Sequence, residues 1–579
     1  MKRGWSCSIF VLSSIAGLTL QAQTPTAPPQ VPAQPSTETK LAPPVLPPRI
    51  GVSQGPLTVT LADAIRMTLE QNNDVSIAKL ETGAAREGVR AAEGVYDPRV
   101  VPNFGYERRV SANTSAIGGA TEGRLEQTEY SGGAGMIGLT PWAGGRFTVD
   151  FSSSRLETSN EFARLNPEYP SALTASYVQP LFRGRAIDNQ RRQIQLARRT
   201  VDLTDAQLAQ VIMDQLTLVE QAFWDLAFAV RNLEVLNNAL GQARAQVSSN
   251  ERQAQGGTLA PIDVIEAQTQ VSRFEQTVAS GQQSLTEAEN RLKRLMFANR
   301  GAAGWNQPLL PGSLSERTVP TLPLEEAVKL ALTRRPELRA LDSTAALNEI
   351  DRIYFKDLTK PQVNLVGGMT LSGLAGDPLS SSSEPPVGGD NDPDAALLTR
   401  LNELSLLASL TPLATPPPTP AAGVPPFFDG GWGTSLSNLF ARRFPSAVVQ
   451  VQMDFPLRNR TARANLARAE IAAIQIERRR QALEQAIESE VRDAMQAVIS
   501  SEQRLQAASS QRRYAGEQYD SERRRFDSGI STVFLVLERQ TAFVTAQALE
   551  LRARADLNQA IAQLERAIGG TLEWHGIKM

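Results

Sequence analysis

Residues able to do chemistry are scarce in this sequence of 579 residues. It holds one histidine, His575, and one cysteine, Cys7. A thiolate or imidazole metal cluster, a Cys–His pair or a Ser–His–Asp triad therefore lacks its parts. Catalysis would have to use carboxylates, lysine or tyrosine, and no paired acidic motif offers itself. The residues point away from an enzyme, a cofactor and a bound metal. The acidic residues that do stand out sit in a motif that occurs twice. Gly257-Thr258-Leu259-Ala260-Pro261-Ile262-Asp263-Val264-Ile265-Glu266-Ala267-Gln268 is matched by Gly529-Ile530-Ser531-Thr532-Val533-Phe534-Leu535-Val536-Leu537-Glu538-Arg539-Gln540, with the glycine, glutamate and glutamine in register.

The elements that carry this motif are duplicated too. Leu61-Ala62-Asp63-Ala64-Ile65, Leu69 and Asn73-Asp74-Val75 correspond at a constant shift to Leu324-Glu325-Glu326-Ala327-Val328, Leu332 and Pro336-Glu337-Leu338. Each opening reads as a capped amphipathic helix. Agreement at both ends of the copies identifies an internal duplication.

Long proline-free stretches lead to the repeated motif, from Leu181 to Ala260 and from Leu457 onward, dense in Ala, Gln, Glu, Arg and Leu. Ile194, Val201, Leu208, Ile212, Val219, Phe223, Leu226, Val230, Leu233 and Leu240 form a coiled-coil-like stripe. A helix from Asp188 to Ala254 would reach on the order of 100 Å at 1.5 Å per residue. Gly257 and Gly529 fall where such helices must stop and reverse, and glycine accepts the left-handed conformation that ends a helix. Thr258, Ser531 and Thr532 are candidate caps for the helices that follow. Between opening and closing the period changes to two. Phe147, Val149 and Phe151 alternate with polar neighbours, as do Val363, Leu365 and Met369, and Val449, Val451, Met453 and Phe455. Alternation alone reads first as an ordinary half-buried sheet.

Composition bounds the rest. A net charge of −2 gives no sign of a nucleic-acid partner. The mean hydropathy of −0.25 is that of a water-exposed chain. Residues 1–22 read as a Sec signal peptide, with Lys2 and Arg3 before an apolar run to Leu20 that is short for a membrane span. Cys7 lies inside this leader, so the mature chain would contain no cysteine. Residues 23–56 read as a Pro-rich linker, 57–300 as the first repeat, 301–320 as an inter-repeat linker, 321–570 as the second repeat and 571–579 as a tail. Within the second repeat, 373–445 reads as a large hairpin-loop insertion, with a helix over Asp394 to Leu410.

Four to six strands per chain are too few to close a membrane barrel, which needs about eight or more. Open sheet edges are not tolerated in lipid. Strands that enter a membrane must therefore be pooled by several chains. With Gln179-Pro180-Leu181-Phe182-Arg183-Gly184, its partner Asp454-Phe455-Pro456-Leu457, the duplicated openings and both glycine-to-glutamine turns, the sequence resembles the TolC-like outer-membrane efflux proteins from Leu57 to Gly569. The resemblance implies a mixed α and β fold. Three chains would build one outer-membrane β-barrel, continued by a long periplasmic α-helical coiled-coil barrel, with two internal repeats per chain. It implies a homotrimer in outer-membrane lipid, most of its mass in the periplasm, meeting a periplasmic adaptor (membrane fusion protein) and an inner-membrane pump of the resistance-nodulation-division or ABC type. The expected role is the passive exit duct of a tripartite efflux pump or type I secretion system. A non-pore periplasmic adaptor or coiled-coil scaffold is the alternative; it should show one central helical hairpin, and this chain shows two.

The resemblance also implies a gate at the helix reversals. Carried onto this sequence, the pore constriction falls on Asp263, Glu266 and Glu538. Leu535 stands where an acidic ring residue is expected, and Phe526 and Ser531 take the places of tyrosine and arginine partners. Three symmetry-related carboxylates held close would repel one another and attract cations. Equally, Glu266 and Glu538 suit the first turns of their helices as solvated side chains favoured by the helix dipole.

Overall fold

The computed structural model describes residues 50–52, 55–114, 119–120, 123–312, 322–379, 393–414 and 424–577. The signal-peptide reading, nearly all of the Pro-rich linker and much of the inter-repeat linker lie outside them.

Each repeat opens on two helices rather than the one expected from sequence. After strand β1 (Leu57–Val59) come α1 (Leu61–Gln71) and α2 (Asn73–Glu93). Thr60 caps α1 by accepting from the Asp63 N–H at 3.1 Å, while the Asp63 carboxylate accepts from the Thr60 hydroxyl at 2.7 Å. Hydrogen bonds from the Thr60 side chain and backbone, with Arg66 nearby, hold the Asp63 carboxyl below its ordinary value. The chain breaks at Asn72, whose side-chain oxygen accepts from the N–H groups of Asp74 and Val75 and so starts α2. In the second repeat the same break falls at Arg335, where Pro336 begins the next helix.

Strands β2 (Arg99–Ala112), β3 (Arg124–Leu139), β4 (Arg146–Thr158), β5 (Leu165–Glu168) and β6 (Ser171–Pro180) follow. The first long hairpin is α3 (Asn189–Gln255) with α4 (Pro261–Met296). Strand β7 (Leu309–Pro311) then pairs in parallel with β1. The second repeat contributes α5 (Leu324–Arg334), α6 (Pro336–Leu358), β8 (Gln362–Gly373), β9 (Gly376–Pro378), α7 (Pro393–Leu407), α8 (Trp432–Phe440), β10 (Phe444–Asp454), α9 (Arg460–Asp527), α10 (Val533–Ile568) and the short α11 (Thr571–Trp574). α3 and α9 have 67 and 68 residues, and α4 and α10 have 36 each, so the duplication extends to helix length.

Six strands form one antiparallel path in the order β10-β8-β6-β4-β3-β2, crossing from one repeat to the other between β6 and β8. The register sorts its two faces. Tyr106 opposes Tyr130, Met136 opposes Val149, Phe147 opposes Tyr177, Ala175 opposes Met369, and Val451 opposes Leu365. Directly opposed residues share a face, so these build a continuous apolar surface. The other face carries Asn103, Gly133, Ser152, Thr174, Thr370 and Gln452. The apolar face is open along much of its extent: Phe104 is 87% and Val449 79% exposed. Among the described residues, the outer edges of β2 and β10 pair with no other strand.

The insertion between β8 and β10 is more than a loop. α7 coincides with the helix expected from sequence. α8 packs on β6 and β8, with Trp432 Nε1 donating to Ser153 Oγ at 2.6 Å and the Ser171 and Ser435 hydroxyls 2.7 Å apart. Phe428 and Phe444 stack beside it with centroids 5.8 Å apart.

The helices pack as two hairpins joined side by side, α3 on α4 and α10 on α9, with α2 and α6 lying along the same bundle. The α3 stripe supplies the fully buried Leu216, Phe223, Leu226 and Leu233. Where α5, α6, α9 and α10 of the second repeat meet, a network of ion pairs reaches across to α3 of the first. Buried Arg335 contacts Glu337 at 3.1 Å and Glu490 at 2.8 Å, while Arg566 reaches Glu490 and, at 2.6 Å, Asp214 of α3. Buried charges of this kind survive only when paired.

Candidate functional site

Both hairpins reverse by the same device. In the first, Thr258 N–H donates to the Gln253 carbonyl and Gly257 N–H to that of Ala254. In the second, Ile530 N–H donates to Arg525 and Gly529 N–H to Phe526. This is the Schellman pattern. Its left-handed position is Gly257 at φ +74° and Gly529 at φ +76°. The caps differ from expectation. Thr532 does cap α10, accepting from Leu535 N–H at 3.4 Å. Thr258 instead donates its hydroxyl back to the Gln253 carbonyl at 3.0 Å, and Ala260, at the N-cap of α4, has no side-chain acceptor, while Pro261 at the first helical position removes one of the unbonded N–H groups. Ser531 donates to Glu522 of α9, which ties the second turn to the helix before it.

The two reversals lie together. Ala267, Val533 and Leu537 form a buried apolar cluster with Val247, Leu259 and Phe526 packed against it, so α3, α4, α9 and α10 share one plug. Phe526 is thus an apolar contact between hairpins. Polar links brace the plug: Gln270 Nε2 donates to Thr541 Oγ1 at 2.8 Å, and Gln540 Nε2 approaches Gln242 Oε1 at 3.4 Å. Beside the plug is a cleft of about 650 Å³ lined by Glu266, Gln270, Arg273, Phe534, Glu538 and Thr541, among others. The register-equivalent Glu266 and Glu538 therefore face one space.

Asp263 does not join them. It sits in the first turn of α4, where the helix dipole favours an anion, and is outside the cleft lining. Its carbonyl accepts from Asn250 at 3.4 Å. Leu535, its counterpart in the second turn, is half-buried. Ile262 and Phe534, equivalent in the two turns, are both exposed at the tips.

Sequence reasoning missed the Gln270–Thr541 and Gln540–Gln242 links. Gln540 left a trace, since it falls inside the apolar series Val533, Val536, Leu537, Val544 and is buried. A polar residue placed there requires a partner. The stripe does not say which partner, because that depends on how two hairpins are placed.

The sequence profile of the family described as outer membrane efflux protein matches residues 146–296 and 428–570. No curated protein sequence matches the chain. Among solved structures, the fold is similar to that of CusC at 16% identity and TM-score 0.57, covering 92% of this chain and 99% of that one. It is similar to the CmeC outer membrane channel of Campylobacter jejuni at 13% and 0.57, covering 88% and 86%. It is similar also to the outer membrane protein VceC of Vibrio cholerae at 14% and 0.57, covering 88% and 96%.

Proposed function

Because this chain belongs to the outer membrane efflux protein family, we propose that it is the passive exit duct of an efflux or secretion assembly, built by three copies. The observation that carries this reading is the open sheet. Among the described residues, a six-stranded antiparallel path with unpaired outer edges and an apolar face open along much of its extent is not a finished structure in water or in lipid. Its strands run 10 to 16 residues, long enough to cross a bilayer at the usual tilt of about 45°. Six is an even number, so β2 and β10 run in opposite directions. Head-to-tail addition of a second copy then continues the antiparallel alternation, and a ring closes without an edge. Three copies of six strands make eighteen, a size at which barrels enclose an aqueous channel. Apolar residues then face lipid and the Ser, Thr, Asn and Gln face lines water.

Among the described residues no helix is long and apolar enough to cross a membrane, so the helical hairpins continue the duct on one side, in the periplasm. Their tips form the closed end. Three Glu266–Glu538 clefts would ring that end with carboxylates. The exposed Ile262 and Phe534 are suited to meet a periplasmic adaptor that links the duct to an energised inner-membrane pump.

Light scattering on protein extracted from outer membranes by detergent should give about three chain masses, and the same particle should conduct in a planar bilayer. A monomer released by alkaline carbonate without detergent would overturn the duct. Glu266→Gln with Glu538→Gln should lower the preference for cations over anions in single-channel recordings, since rings of carboxylate set cation preference in pores. Unchanged selectivity would leave these residues as plain solvated side chains, since α4 starts at Pro261 and α10 at Val533 and both glutamates lie beyond the first turn expected for them from sequence.

A further inference from the structure

The single histidine has close company. After α10, Gly569 turns the chain at φ +76° and Gly570 N–H donates to the Glu565 carbonyl at 2.9 Å. α11 then folds back onto α3 and α10. Leu572 before His575 and Ile577 after it both pack against the cluster of Ile65, Val75, Ile212 and Leu216, which fixes the tail on either side of the imidazole. His575 Nε2 consequently lies 2.5 Å from Glu220 Oε1 of α3 and 4.0 Å from Glu565 Oε2 of α10. The three ligand atoms are all within 4.8 Å of one another.

The surroundings are dry. Glu220 is 1% and Glu565 6% exposed, with apolar Leu216, Phe223 and Leu564 buried next to them in sequence. Two carboxylates this close concentrate like charge where little water screens it. A protonated imidazole offsets one charge. A divalent cation on a neutral imidazole offsets both and also uses all three groups as ligands. The local polar groups point the same way. One turn from Glu220, Trp224 Nε1 is buried with no hydrogen-bond partner, and one turn before His575 so is Thr571 Oγ1. Each lies one turn along the chain from a proposed ligand, and a buried polar atom needs a partner.

We propose that Glu220, Glu565 and His575 form a divalent metal site that staples the C-terminal tail across both repeats. The donor set is one imidazole nitrogen and two carboxylates with no thiolate, which suits Zn²⁺, Mn²⁺ or Fe²⁺ and disfavours Cu⁺. Ligand atoms about 2.0–2.1 Å from a tetrahedral Zn²⁺ stand about 3.3 Å apart. The present separations bracket that value, so side-chain shifts on the order of 1 Å complete the site. No sequence pattern points to it: the ligands are 345 and 10 residues apart, and only the docking of α10 and the tail on α3 brings them together.

The test uses tag-free full-length protein in detergent, stripped with chelator and then titrated with Zn²⁺ by calorimetry. The expected result is one Zn²⁺ per chain at micromolar affinity or tighter, with the unfolding temperature raised by the metal. Glu220→Gln, Glu565→Gln and His575→Ala should each weaken binding at least tenfold and abolish the metal-dependent shift. His575→Ala changes only the tail and keeps the test informative if a helix variant fails to fold. Wild-type protein that binds no more Zn²⁺ than His575→Ala would overturn the proposal. So would a wild type that binds none and shows only a pH-dependent unfolding temperature, which would mark the cluster as a proton-linked ion pair.

Discussion

A cysteine at Asn103 on β2, combined with one at Ser446, Gln450 or Gln452 on β10, will crosslink separate chains, and oxidation will end in a covalent ring of three. These positions lie on the polar face of the two edge strands. The background is clean, since Cys7 is the only native cysteine in the sequence and lies far from both strands along the chain. One β10 position will dominate, because paired Cβ atoms must approach within about 4.5 Å for a disulfide, and a shift by two residues moves them out of reach. The readout is non-reducing electrophoresis: single-cysteine variants stay monomeric, and the matched pair gives dimer, then trimer, with no larger species. Dimers formed by the single variants would mean that like edges meet like, as in a two-fold interface, and the three-chain ring would be wrong. An endless ladder would mean that the seam forms without closing.

The second large effect is expected at the plug. Leu537 is 7% exposed and packs with Ala267, Val533 and Phe526 where the two hairpin tips meet. Truncating a buried leucine to alanine costs about 2–5 kcal/mol, and placing a carboxylate there costs more unless it is paired. Each 1.4 kcal/mol is a factor of about ten in an equilibrium. Leu537→Ala should thus shift the closed–open balance of the tips at least tenfold, and Leu537→Asp further. In bilayer recordings the mean conductance should rise several-fold while the detergent-extracted mass stays that of the wild type. Phe526→Ala should act in the same direction. Conductance that stays low in all three variants would show that the tips are held shut by something other than this cluster, with the Gln270–Thr541 bond the next place to look.

These expectations rest on features of unequal legibility. The helical hairpins could be read directly. A stripe at spacings of three, four and seven persists over α3 whatever surrounds it, and the glycine at each reversal is demanded locally by a left-handed backbone. The central strands could be read wherever alternation was clean, as in β4, β8 and β10. β2 and β3 were not found, since Arg108 and Glu126 occupy positions of the apolar face and interrupt the alternation. In β2 that charge lies toward one end, where the strand can remain in water. The opening helix was read as one element because Asn72 is an ordinary residue in a helical pattern. Its capping bonds to Asp74 and Val75 show only in three dimensions.

The site divided in the same way. The sequence placed Glu266 and Glu538 in register. That they line a common cleft, while Asp263 stays outside it, depends on the rotation of α4 against α10. The replacements at Phe526 and Leu535 looked like losses from a polar gate. Phe526 is instead part of an apolar plug whose other members come from three further helices and, with Leu259, from the first turn.

By itself, then, the sequence determined what is periodic or locally enforced: long helices, their points of reversal, and the duplication. Tertiary structure decided what depends on the relative placement of distant segments. It set which side chains share the tip cleft, which strands are left as edges, and which two glutamates receive the histidine. The physical reason is range. Helix and turn preferences are settled within a few residues of chain, whereas the meeting of Glu220, Glu565 and His575 is settled only when two hairpins and a tail have packed.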